Sequence, residues 1–223
     1  MNIGAGLLKQ LELSQCSAVR SFFSRNNSVS LVRGRRDDSS DTEFIYKYYR
    51  GTDAWKEYAY LYLLAGLRVP GILAHGNKAL CLEYIKGDTL QERLEKCEKK
   101  RVPFDPYIDR LITFLERYYA ALPGHIYGDV NLRNFICAKN GLHGVDIEEA
   151  RPGNTFVDIG KAAAYILASG KEETEYKQKA ASYLIESAGR RLGLDINDIE
   201  KEKQKELAAI KAPRRRKPVK GKV

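Results

Sequence analysis

The sequence contains no apolar stretch approaching the roughly 20 residues that a membrane-spanning helix requires. Its first residues, MNIGAGLLKQLELSQ, have neither the charged start nor the long apolar core of a secretion signal. A cytoplasmic location is therefore the expectation. Cysteine is sparse and scattered: Cys16, Cys81, Cys97 and Cys137 form no C-x-x-C pair, which argues against a zinc or dithiol site and for reduced structural thiols. There is no internal repeat. A length of 223 residues excludes two independent large domains and allows one compact unit, or two small lobes sharing a core. A composition of 43% hydrophobic and 30% charged residues excludes disorder for the body of the chain.

The net charge of +9 is unevenly placed. APRRRKPVKGKV, residues 212–223, carries six basic residues and no acidic one, which leaves the remainder near +3. Such a tail suits nucleic acid, anionic lipid or an acidic partner surface through counterion release. A disordered solubilising end accounts for it equally well.

Ser21 to Val32 reads SFFSRNNSVSLV, two short apolar stretches around the turn-prone Ser24, Arg25, Asn26, Asn27 and Ser28, which is a hairpin pattern. RGRRDDSSDTE follows as a hydrophilic connection. FIYKYY, from Phe44 to Tyr49, is aromatic and β-branched enough for a third strand, with Lys47 inside it. Thr52 or Asp53 is placed to cap the next helix, where Trp55, Tyr58, Leu61, Tyr62 and Ala65 recur at helical spacing until Gly66. That helix presents Glu57. Leu67 to Leu73 and Ala79 to Ile85 read as two more strands, completing a strand-rich N-terminal lobe over about residues 1–87.

Helical patterns dominate from about residue 88 to 211: Thr89 to Lys100, Pro106 to Ala121, Phe156 to Ala168, Glu172 to Leu192 and Asp195 to Lys211. A short hairpin interrupts them, with Asn134 to Cys137 and Leu142 to Ile147 flanking the turn Lys139, Asn140, Gly141. Asp146 lies near its end.

Phosphoryl transfer from a nucleotide asks for little covalent chemistry. It needs a cation on the phosphates, oxygen ligands on magnesium and a carboxylate facing the attacking hydroxyl. The sequence supplies these in order. Lys47 on a strand and Glu57 on the next helix can form the ion pair that aims an ammonium at the α and β phosphates. In YGDVNLRN, Asp129 is the candidate to orient the acceptor hydroxyl and take its proton, and Asn134 offers an amide oxygen to metal. Asp146 is the candidate main magnesium ligand, a hard carboxylate for a hard cation.

Strand lysine, helix glutamate, D-x-x-x-x-N, then a turn and a strand ending in Asp resemble the protein kinase-like superfamily. YGDVNLRN, with Gly128 before the Asp, and GVDIEEA are most similar to the aminoglycoside phosphotransferase and choline kinase branch, as are WKEYAYLYLLAGLRVPGIL and LEYIKGDTL. The matching text runs from about Ser24 to Ala168. The resemblance implies a two-lobed α+β fold with a short, mainly helical C-terminal lobe, and ATP and magnesium as cofactors. It further implies backbone groups near Glu83 and Ile85 that hold adenine, a phosphate loop in which Ser24, Asn26, Asn27 and Ser28 contact phosphates, and Asp158 as a helix carboxylate bracing the catalytic loop. The sequence departs from the pattern in having no glycine in SRNNSVS, and Tyr127 where a His usually precedes Gly-Asp. Only about 65 residues follow Asp158, fewer than such enzymes use for an acceptor pocket, so the acceptor is unidentified.

Each residue also has a plainer reading. Lys47 can be an edge-strand lysine that blocks aggregation, Glu57 a solvated helix residue beside Lys56, and Glu148 either a metal-assisting or a surface group. His125 reads as a hydrogen-bonded structural residue, and the tyrosines as packing. The leading functional expectation is a kinase acting on a hydroxyl of a small molecule. The alternatives are a compact protein kinase of the RIO or Bud type and a nucleotide-binding pseudokinase or scaffold that docks through its basic tail.

Overall fold

A computed structural model of the protein describes residues 3–24, 26–36, 40–51, 54–170 and 172–212. The expected helix cap at Thr52 or Asp53, the turn residue Arg25 and nearly all of the basic tail lie outside these residues.

The N-terminal part begins with helix α1 (Ala5–Gln10), followed by strands β1 (Leu13–Phe22), β2 (Asn27–Arg36) and β3 (Asp41–Tyr49). Helix α2 (Trp55–Leu63) leads to β4 (Ile72–Gly76) and β5 (Ala79–Glu83). The strands form one antiparallel five-stranded sheet in the order β1-β2-β3-β5-β4. Lys47 therefore sits on the central strand, opposite Val29 and Leu80, and the edge-strand reading of it fails.

Strand periodicity explains the two faces of this sheet. Phe44 and Tyr46 point to a small apolar cluster with Ile3, Leu7, Leu13, Val32, Ala74 and Cys81. Here α1 covers the sheet, and the Gln10 amide clasps the His75 backbone through Nε2 to O and Oε1 from N, both at 3.1 Å. Ile45 and Tyr49 belong to the opposite face and join the main core with Leu80, Leu82, Leu61 and Leu64. Lys47 shares this second face, which is also where α2 packs.

Two expectations for this part are corrected. The charged segment RGRRDDSSDTE is largely strand rather than connection, because the β2–β3 ladder continues to Arg35↔Asp41. Arg33 Nη2 donates to Glu43 Oε1 at 2.8 Å across the ladder, so charge on a solvated sheet face substitutes for apolar alternation. Conversely, Leu67 to Leu73 is not one strand. Leu67 and Val69 close turns onto Leu64 and Leu67, Pro70 brings no N–H to a ladder, and β4 starts only at Ile72.

The C-terminal part is mainly helical: α3 (Leu90–Lys100), α4 (Asp105–Ala121), α5 (Phe156–Ala168), α6 (Glu175–Leu192) and α7 (Ile196–Lys211). Thr89 caps α3 in a full capping box with Glu92, which satisfies two backbone donors that the helix start would otherwise leave open. Helix α5 is buried on nearly all sides, and Gly160 lets α7 approach so closely that a Cβ there would sit 2.8 Å from the Ile199 carbonyl oxygen. Before the helices and between them lie the short strands β6 (Asp88–Thr89), β7 (His125–Ile126), β8 (Phe135–Ala138), β9 (Gly141–Gly144) and β10 (Arg151–Pro152). They form a β6-β8-β9 sheet and a β7-β10 pair. The expected hairpin is β8–β9, ending at Gly144 rather than Ile147, so Asp146 stands just beyond its second strand. Among the described residues no helix is long and apolar enough to cross a membrane.

Candidate active site

Lys47 is the centre of the charged cluster. Its Nζ donates to Glu57 Oε2 at 2.6 Å and also to Asp146, and lies 3.2 Å from Glu148 Oε2. The Lys47 side chain is 5% exposed and that of Glu57 is 1% exposed. Position on the central strand fixes Lys47, and α2 carries Glu57 into the core in its first turn. Tyr49, two residues along the same strand face, donates its hydroxyl to Glu57. Burial works against the Lys47 ammonium, but the facing Glu57, Asp146 and Glu148 outweigh it and hold its pKa above the usual lysine value. Burial raises the Glu57 carboxyl, while Lys47 opposes that rise and Asp146 adds to it.

Asp146 directly follows Val145, and its backbone is left-handed, with φ 64° and ψ 59°. It begins the short 3₁₀ turn Ile147–Glu149, which brings Glu148 to the same place. Single carboxylate oxygens of Glu57, Asp146 and Glu148 lie within 4.8 Å of one another. Hard oxygen donors suit a hard divalent cation, and in this structure the cation they converge on is the Lys47 ammonium. Glu57, fully buried and held by Lys47 and Tyr49, is the least available of them.

The YGDVNLRN segment is pinned from below. Asp158 on α5 is completely buried and accepts from the Tyr127 N–H at 2.7 Å, the Gly128 N–H at 3.0 Å and the Tyr119 hydroxyl at 3.1 Å. Lys161 donates to the Gly128 carbonyl at 3.1 Å. Gly128 adopts φ 88°, and a Cβ there would meet the Glu149 carbonyl oxygen at 2.3 Å, so only glycine fits. Tyr127 meets Phe114 and Tyr118 edge-on and Phe135 at a tilt and donates its hydroxyl to the Val145 carbonyl at 2.6 Å. Val145 N–H in turn donates to the Asn134 carbonyl at 2.8 Å. One buried tyrosine thus links the loop bearing Asp129 to the residue preceding Asp146.

Asn134 donates through Nδ2 to the Asp129 carbonyl at 3.0 Å and to Asp129 Oδ2 at 3.1 Å, which leaves its Oδ1 as an acceptor. Burial raises the Asp129 carboxyl above its usual range; the Asn134 bond opposes this and the charge of Asp146 adds to it.

The structure therefore brings together Lys47, Glu57, Asp146 and Asn27, with Asp129 and Asn134 on the adjoining loop. Asn27 is buried, and its Nδ2 donates to Glu148 Oε2 at 2.7 Å, so its side chain turns into the carboxylate cluster. Ser24 Oγ accepts from the Asn27 N–H at 3.2 Å. Asn26 is exposed at the turn, and Ser28 Oγ accepts from the Arg50 guanidinium at 2.6 and 3.1 Å. Glu83 ends β5, where its carboxylate accepts from the Gly71 N–H at 3.2 Å. Ile85 is half-buried in the segment between β5 and β6.

Of the two readings open for Glu148, a surface group or a metal-assisting one, the structure favours a place in the cluster around Lys47. Arg50 places a cation on the glycine-free turn, and no motif signalled it.

No family model matches the sequence, and no curated protein matches it either. Among solved structures, the chain is similar to choline kinase from Cryptosporidium parvum Iowa II, with a TM-score of 0.53 at 11% identity, over 86% of this chain and 81% of that one. At that identity the likeness is one of fold: an antiparallel sheet followed by a helical part, consistent with a choline kinase-like fold.

Proposed function

We propose that the protein is an ATP- and magnesium-dependent phosphotransferase of two-lobed kinase-like architecture, on the pattern of the aminoglycoside phosphotransferase and choline kinase branch. In this reading it moves the γ-phosphate to a hydroxyl of a small molecule. The observation that carries the reading is the buried pair of Lys47 and Glu57 at 2.6 Å, set against Asp146 and beside a loop where Asn134 holds Asp129. A charged pair this deeply buried costs desolvation, and phosphate handling gives it a purpose.

Asp146 and the free Oδ1 of Asn134 are the candidate magnesium ligands, with Glu148 a third oxygen in reach of Asp146. Magnesium, when bound, neutralises phosphate charge and orients the transferred group. Lys47, which Glu57 holds and Asp146 also contacts, would offer its ammonium to phosphate oxygens in place of Asp146. Backbone groups near Glu83 and Ile85 receive adenine. Ser24, Asn26 and Ser28 face the phosphates together with Arg50, whose guanidinium offsets the missing glycines. Asp129 accepts the proton of the acceptor hydroxyl as the new O–P bond forms and the bond to the β-phosphate oxygen breaks. Its raised pKa makes it a stronger base than a carboxylate in water.

The test is ADP release from ATP and magnesium with a panel of sugars, amino alcohols, nucleosides and proteins. Turnover with one small hydroxyl compound, reduced about 100-fold or more in Asp129→Ala, is the expected result. Turnover only with a protein acceptor selects the RIO or Bud type. Nucleotide binding without turnover selects the scaffold, and absence of nucleotide binding defeats all three.

A further inference from the structure

Away from the Lys47 cluster, a concavity of about 300 Å³ opens between residues 66–68 and α4. This is the lower end of the volume range of small-molecule sites. Three arginines line it: Arg68 from the connection after α2, and Arg110 and Arg117 from α4. The seven-residue spacing of Arg110 and Arg117, with Thr113 between them, puts all three α4 side chains on one stripe of the helix. Phe114 and Leu142 supply an apolar wall.

None of the three arginines has an ion-pair partner among the described residues, although their neighbour Arg191 is well matched, with Nη2 on Thr113 Oγ1 at 2.8 Å and Nε on Glu116 Oε1 at 2.8 Å. The acid at the cavity, Asp109, is already engaged by the Tyr183 hydroxyl at 3.1 Å and by Arg191 at 3.9 Å. Arg110 lies over the Tyr107 ring, 5.6 Å from its centroid. Arg68 extends across the β8–β9 turn, where a Cβ on Gly141 would fall 1.8 Å from its Nη1, and its carbonyl accepts from the Gly144 N–H at 2.9 Å. The backbone that carries Arg68 is thus tied to the hairpin.

Like charges gathered around one hollow repel each other, and an oxyanion there removes that cost. Guanidinium forks match phosphate oxygens in pairs, Thr113 adds a hydroxyl, and the apolar wall suits a carbon frame. We infer that this hollow is a second ligand site, for a small phosphorylated molecule carrying at least two negative charges, separate from the candidate active site.

The test is titration of the isotope-labelled full chain with inorganic pyrophosphate at ordinary salt, followed by amide resonances. The expected result is saturable movement of Arg68, Arg110, Thr113 and Arg117. It should weaken about tenfold or more in Arg110→Gln/Arg117→Gln, while any response at Val29 and Lys47 stays as it was. Both substituted side chains are exposed, so the fold should survive, which the unchanged remaining resonances verify. Movement confined to Val29 and Lys47, no saturation, or an undiminished α4 response in the double variant would each overturn the inference. Those outcomes leave the phosphotransferase reading standing, since that reading is reported by Lys47.

Discussion

Replacing Lys47 by Met keeps the aliphatic stem and removes the ammonium, which exposes what the cluster costs. Three carboxylates face that one cation, and Glu57 is the one with no route to water, at 1% side-chain exposure. Removing one partner of a buried pair typically costs about 3–5 kcal/mol. The Tyr49 hydroxyl still donates to Glu57, and Asp146 and Glu148 are open enough to rehydrate, so the low end applies, about 3 kcal/mol. For a chain of this size that is a drop of about 6–12 °C in melting temperature. Adding Glu57→Gln removes the stranded charge and should restore about 1–2 kcal/mol, a coupling that a double-mutant cycle reads directly. The loss should also depend on pH. Without Lys47, the Glu57 carboxyl rises further above its ordinary 4.5 in the folded state. A raised carboxyl contributes stability that is present below the unfolded pKa and is lost as pH rises through the folded one. The gap between wild type and Lys47→Met is therefore widest near neutrality and closes as pH falls toward the ordinary carboxylate range. Urea denaturation across that interval measures it. A gap below about 1 kcal/mol, or one that widens on acidification, would refute the claim that the pair is buried and charged.

Asp158→Asn presents an NH₂ where two backbone N–H groups and a hydroxyl now find acceptors; a loss of about 3 kcal/mol in urea denaturation is expected, far more than a surface substitution. Gly128→Ala combines φ 88° with a backbone oxygen 2.3 Å from the new Cβ, so at least about 2 kcal/mol should be lost, and any ATP turnover with it. Because burial raises the Asp129 carboxyl, the acid limb of a kcat/KM profile should fall above the ordinary aspartate value of 3.8, and a limb at or below that value would remove Asp129 from the role of base.

Much of the fold could be read where local chemistry decides it. Helix α5 begins and ends where apolar periodicity places it, and α3 and α7 start directly after Thr89 and Asp195, whereas α6 starts at Glu175 behind its cap Thr174 rather than at Glu172. What could not be read are elements held by partners distant in sequence. β1 is an edge strand whose residues are nearly all exposed or half-buried apart from Leu13, so alternation never marks it. β6, β7 and β10 are two-residue strands that exist only because another strand lies beside them.

The candidate site divides along the same line. Asp129, Asn134 and Asp146 are close in the chain, so the loop and the hairpin after it already bring them near one another, and Asp158 and Tyr127 hold them there. Lys47 and Glu57 needed only one strand and the next helix. Glu148 stayed ambiguous and Arg50 escaped because their partners are distant in sequence: Asn27, 121 residues earlier, donates to Glu148, and the β2–β3 pairing brings Ser28 beneath the Arg50 guanidinium. Asn27 shows the reverse case. The resemblance implied a phosphate contact for it, and its burial at 5% with a bond to Glu148 makes it the clasp between the turn and the carboxylates. A turn without glycine cannot bring its own backbone as close to a phosphate as a glycine-rich one does. Here a side-chain amide anchors the strand end to the acidic cluster, and an arginine stands over the serine beside it. Position of the turn is thereby tied to the same carboxylate that Lys47 contacts, so that neutralising Glu148 is a perturbation felt at Asn27 and at Lys47 together.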